Sequence, residues 1–100
     1  VLLKTKYDFD IEDKIVTKDI NRLTNQLWKL IPMRENNENW SIQLDTVLLE
    51  IYGLKELFKI NENYLILITK LEGLKIQSNI EFMVYRKTVF ECISLLRELI

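Results

Sequence analysis

Apolar side chains in this chain return at steps of four and three, the spacing that gathers them on one side of an α-helix. Leucine and isoleucine alone supply 30 of the 100 residues. In the first segment Val16, Ile20, Leu23, Leu27 and Leu30 form such a stripe. Asp10 is placed to cap its start, with Glu12 and Asp13 favouring the positive end of the helix dipole. Pro32 is expected to end it, because the residue before a proline is pushed away from helical dihedrals. The predicted helix covers 10–31.

A second stripe, Trp40, Leu44, Val47, Ile51, Leu54 and Phe58, is the clearest in the chain. It predicts a helix over 37–58, capped by Asn36 or Asn37. Asn61 then caps a shorter helix over 62–72, with Gly73 as its stop. The run Tyr64-Leu-Ile-Leu-Ile is apolar on every side and should make this the most buried helix. A short apolar run also fits a strand, but the chain offers no second strand to pair with it. Ser78-Asn79-Ile80-Glu81 reads as a capping box and opens a fourth helix over 79–99. Its core line is Phe82, Val89, Ile93, Leu96 and Ile100, widened by Tyr85, Cys92 and Leu99. Residues 1–9 carry no period and are expected to be a flexible arm. The fold class that follows is all-α: one domain over 1–100, an antiparallel up-and-down four-helix bundle with short loops.

Composition narrows the chemistry. Histidine, the commonest general base and metal ligand, is absent. The lone Cys92 has no internal disulfide partner and no histidine to activate it as a nucleophile. No glycine-rich loop exists, since Gly53 and Gly73 are the only glycines. Asp8, Asp10 and Glu12 stand at positions one, three and five of a calcium loop, with Asp19 at position twelve. The sixth position, which needs glycine for its turn, is Asp13, and helix capping accounts for the same acids. We therefore expect no metal, no cofactor and no enzymatic activity. Net charge is −1, so any electrostatic role must come from uneven placement. The longest apolar run is Tyr64–Ile68, far short of the ~20 residues of a membrane span. The expectation is a soluble cytoplasmic protein. Alanine is missing while lysine, asparagine and isoleucine abound, a bias of AT-rich coding sequence such as that of a low-GC bacterium or its phages.

Two surfaces stand out. On the second helix Ile42, Thr46, Leu49 and Gly53 form another line, roughly opposite the core stripe. Asp45 and Glu56 rim one edge and Glu50 the other. An apolar strip on the side that should face water needs covering, and a helical glycine is expected to permit close backbone approach. Trp28, off the core stripe of its own helix, joins these as a weaker interface candidate. On the first helix Lys14, Lys18, Arg22, Asn25 and Lys29 fall within about 80° of one another, with no acid in that sector. Four cations on a ridge suit a phosphate backbone or an acidic partner. Tyr85-Arg86-Lys87 reads only as a helix edge, with the ring inward and the cations outward.

The expected function is protein–protein interaction: a homodimer, or a subunit or adaptor of a larger bacterial or phage assembly. Its contact surface is Ile42, Thr46, Leu49 and Gly53 with Trp28, and opposite charges on the two helices set the orientation of two copies. The alternative is a nucleic-acid-binding regulator that uses Lys14, Lys18, Arg22 and Lys29.

Overall fold

The computed structural model describes residues 2–4, 10–57, 62–77 and 79–99. Four helices, α1 (Asp13–Glu35), α2 (Trp40–Leu57), α3 (Glu62–Ile76) and α4 (Phe82–Arg97), follow two short strands, β1 (Leu2–Lys4) and β2 (Asp10–Glu12). Each helix packs on its neighbour in sequence, and α1 closes the ring against α4. This is the four-helix bundle that the periodicity predicts. The molecule measures 43 × 21 × 20 Å, and a helix with its side chains is about 10 Å across. Two helices thus fill each short dimension. One core runs down the middle, and every helix keeps an outer face.

The predicted stripes are the core, except that Phe82 of the α4 line is only half-buried and lies outside the core cluster. Val16, Ile20, Leu23, Leu27 and Leu30 are all buried, as are Leu44, Val47, Ile51 and Leu54, and Val89, Ile93 and Leu96. Tyr85, Cys92 and Leu99 are buried beside them. Trp40 is half-buried against the same cluster. Phe58, Asn61, Ser78 and Ile100 lie outside the described residues.

The helix ends depart from expectation in instructive ways. Asp10 is not a cap. Asp10, Ile11 and Glu12 pair with Lys4, Leu3 and Leu2 in an antiparallel ladder, and α1 begins where that ladder ends. The expected arm over 1–9 thus contributes a strand at its described residues 2–4.

Pro32 does not end α1, which continues to Glu35. A proline removes one amide from the helix ladder, but the following turn is held from outside. The Arg34 guanidinium lies 4.5 Å from the centre of the Tyr85 ring, and its Nη2 donates to the Ile80 carbonyl. Asn37 then closes α1, not the start of α2 as its capping role required. It takes the left-handed φ of 57°, which asparagine tolerates better than most residues. The Asn37 amide donates to the Arg34 carbonyl at 3.1 Å and the Glu38 amide to Met33 at 2.7 Å. This paired reversal satisfies two carbonyls that the helix end would otherwise leave open.

Gly73 does not stop α3 either. The helix runs on to Ile76 because Leu74 is buried in the core. The capping box at the start of α4 is not formed: Glu81 is the N-cap residue and makes no side-chain cap.

Both glycines therefore sit inside helices, without positive φ, and a Cβ added at either meets nothing within 4 Å. Gly53 permits no close approach within this chain. Gly53→Ala and Gly73→Ala should each stabilise the fold by about 0.5–1 kcal/mol, by lowering the entropy of the unfolded chain. Thermal unfolding of each variant beside the parent checks this, and a fall in Tm at either position would refute it.

Candidate functional site

Core packing of α2 leaves Ile42 and Leu49 pointing to water, 64% and 73% exposed. Thr46 and Gly53 are exposed between and beyond them. The Thr46 hydroxyl donates to the Ile42 carbonyl at 3.0 Å. Its polar atom is thus satisfied within the helix, and the strip asks no hydrogen bond of a partner.

The charges beside this strip are already used. Arg22 on α1 reaches Glu50 at 2.7 Å, with a second contact from Nη1 to Oε1 at 3.1 Å. Asp19 stands 3.6 Å from the same guanidinium. The hydrogen bond to Glu50, chiefly, raises the Arg22 pKa. On the other flank Lys75 of α3 pairs with Asp45 at 2.8 Å, and that hydrogen bond raises the lysine's pKa. These findings correct two expectations. Arg22 is a bridge from α1 to α2 rather than a free member of a basic ridge, and an acid, Asp19, stands beside it. Asp45 and Glu50, the expected rim, each pair with a cation of a neighbouring helix of the same chain.

The outer face of α3 was missed in the sequence. Expected to be the most buried helix, α3 instead leaves Leu65 48% and Ile76 80% exposed, with Ile66 also exposed. A helix in a four-membered ring touches two neighbours and the core, so an all-round apolar helix must present one side to water. Between those residues Thr69 donates its hydroxyl to the Leu65 carbonyl at 2.8 Å. The pattern repeats that of Thr46. Glu62 adds a charge at the start of this face, and Glu72 and Lys75 border it. The missed signal was the run Tyr64–Ile68 itself, read as depth rather than as surplus.

The strips on α2 and α3 flank a polar seam. Tyr52 donates its hydroxyl to Glu72, and the Asp45–Lys75 pair lies along the same seam. Together with Leu48 and Leu49 these four residues line a shallow groove. Every charged group of the groove has a partner inside the chain.

Trp28 belongs elsewhere. Its indole packs edge-on against Phe90 of α4, with centroids 4.9 Å apart, whereas Arg22 and Gln26 mark the side of α1 that meets α2. The structure does not bring Trp28 together with Ile42 and Leu49. Lys14, Lys18 and Lys29 are exposed on α1. Tyr85 faces the core, with Arg86 and Lys87 outside, as the sequence predicts.

The remaining chemistry is sparse. Burial pushes the Cys92 thiol up to about 12, only partly countered by the charge of Lys70. A thiol in that state is no nucleophile. Glu91 pairs with Lys70 at 3.0 Å. Of the calcium-loop acids, Asp8 lies outside the described residues, Asp10 and Glu12 lie in β2, and Asp19 faces Arg22. Among the described residues no group of acids or cysteine is placed to hold a metal ion. Among the described residues no helix is long and apolar enough to cross a membrane. Comparison of the chain with protein-family models, with curated proteins and with solved structures finds no match.

Proposed function

We propose that this protein acts without catalysis of its own, by binding protein through the outer faces of α2 and α3, with a second copy of the chain as the partner. One observation carries the reading. Two neighbouring helices present exposed Ile42, Leu49, Leu65 and Ile76, and in the groove between them Asp45 pairs with Lys75 while Glu72 accepts from the Tyr52 hydroxyl. Asp45 and Glu72 enter such a contact with partners already in place, and the Thr46 and Thr69 hydroxyls are satisfied within their helices, which lowers the cost of desolvation.

The same argument favours a second copy. A two-fold dimer presses one surface on itself, and a face with unbalanced charge would oppose like with like. Here the middle of the face is apolar, with Ile42 and Leu49 beside Leu65, and Asp45 is already paired with Lys75, so self-contact sets apolar surface against apolar surface. A bundle of this size also gains from association, because a small domain buries a limited share of its surface by itself. A subunit or adaptor role in a larger assembly, bacterial or phage, would use the same strip.

Light scattering behind a sizing column, at low and at high salt, tests the reading. Twice the 12.0 kDa of one chain at both salts is expected, since apolar burial is insensitive to screening. A single-chain mass throughout would overturn the homodimer.

A further inference from the structure

We infer that the opposite side of the bundle, formed by α1 and α4, is a binding face for single-stranded nucleic acid. This goes beyond the protein-docking reading and rests on different residues. Charge is divided unevenly around the ring. Helices α1 and α4 carry eight cationic and four acidic side chains, whereas α2 and α3 carry three and five. Two of the four acids on the basic side are occupied: Asp19 faces Arg22, and Glu91 holds Lys70. Six exposed cations remain on the two helices, Lys14, Lys18 and Lys29 on α1 and Arg86, Lys87 and Arg97 on α4. Among the described residues none of the six makes an ion pair.

Aromatic surface lies in the seam between these two rows. Trp28 is 41% exposed and meets Phe90 edge-on at 4.9 Å. Arg86 lies 4.8 Å from the centre of the Phe90 ring. Phe90, Arg86 and Lys87 line a shallow groove with Met83 and Val84. Exposed Asn21 and Asn25 stand among the lysines of α1, ready to donate and accept toward base edges.

Aromatic rings at the contact of α1 with α4, and exposed cations on both helices, match the parts of a single strand. Phosphates meet the lysines and arginines, while unpaired bases stack on the indole. From Lys14 to Lys29 the ridge extends about 22 Å, room for several nucleotides. A duplex offers phosphates alone to such a face, because its bases are already stacked on one another. An acidic protein would satisfy the cations but leave the ring without a planar partner.

Fluorescence anisotropy with a labelled twenty-nucleotide oligo(dT), beside a blunt duplex of the same length, tests the inference. All measurements use a Leu49→Glu background, so that one chain meets one oligonucleotide and failure of the dimer reading does not enter. The single strand should bind at least ten-fold more tightly than the duplex. Neutralising four phosphates would weaken that binding about 50-fold between 50 and 200 mM salt. Charge reversal at exposed positions, Lys18→Glu with Lys29→Glu and Lys87→Glu, should cost at least 100-fold. Trp28→Leu should cost roughly ten-fold at both salts, leaving the salt dependence unchanged. Circular dichroism confirms that each variant keeps its helices. No binding of the single strand at 50 mM salt, equal affinity for the duplex, or an unaltered affinity after the triple charge reversal would each overturn the inference.

Discussion

Tyr85→Ala is expected to be among the most destabilising single changes in this bundle. The ring is wholly buried and ties three helices at one end. It packs in a T-shaped pair with Trp40 of α2, centroids 5.1 Å apart, and its face carries the Arg34 guanidinium of α1. Its hydroxyl donates weakly to the Leu30 carbonyl at 3.4 Å. Truncating a buried aromatic residue costs about 3–5 kcal/mol in transfer and cavity terms. For a domain of this length that corresponds to a fall in Tm of roughly 15–30 °C. Loss of the ring also strips Arg34 of the surface that helps to hold the turn beyond Pro32. Tyr85→Phe separates the ring from the hydroxyl. It keeps both aromatic contacts and should cost only about 0.5–1.5 kcal/mol, the worth of one long hydrogen bond. Urea titrations of the two variants check the contrast. A loss below about 1 kcal/mol for Tyr85→Ala would show that this end is organised by something other than the ring.

The prominence of Tyr85 also shows where reading a sequence succeeds and where it stops. Its place on the core side of α4 follows from helical period alone, and so does burial of the five α1 positions from Val16 to Leu30. Periodicity reports which face of a helix is apolar, and burial of that face dominates the stability of a bundle. Helix ends are decided by smaller effects that tertiary contacts override. Pro32 illustrates this, since the contacts of Arg34 with Ile80 and Tyr85 come from residues far along the chain. Asn37 shows the same weakness differently. An asparagine between two helices can start one or close the other, and only its left-handed φ distinguishes the two. The ladder of β2 with β1 was invisible because three-residue strands are too short to show a period.

The candidate surfaces were legible in part. Ile42, Leu49 and Gly53 lie outward as their angles on α2 require. What the angles omit is the neighbour. Glu50 and Asp45 look like a rim available to a partner until α1 and α3 bring Arg22 and Lys75 against them. Likewise Trp28 and Phe90 are unrelated in sequence and become one aromatic pair only when α4 packs on α1. The outer face of α3 required knowing that the ring has four members, so that among the described residues no fifth helix covers Leu65 and Ile76.

Leu49→Glu should abolish self-association while leaving the folded chain intact. Leu49 is 73% exposed in the single chain, so the change removes little packing and should alter stability by no more than about 0.5 kcal/mol. In a two-fold dimer built on α2 and α3 the same position lies in the contact, and substitution introduces one carboxylate from each copy. No cation nearby is free to receive it, because Lys75 is held by Asp45 and Arg22 by Glu50. An unpaired charge buried at an interface costs several kcal/mol, so the dissociation constant should rise by roughly 100-fold or more. Leu49→Ala provides the graded control: it removes apolar contact without adding charge and should weaken the dimer by about ten-fold. Sedimentation equilibrium of the parent and both variants, with thermal unfolding in parallel, distinguishes a lost interface from a lost fold. A Leu49→Glu chain that still sediments as a dimer would place the contact elsewhere. Leu65→Glu would then decide whether α3 alone carries it.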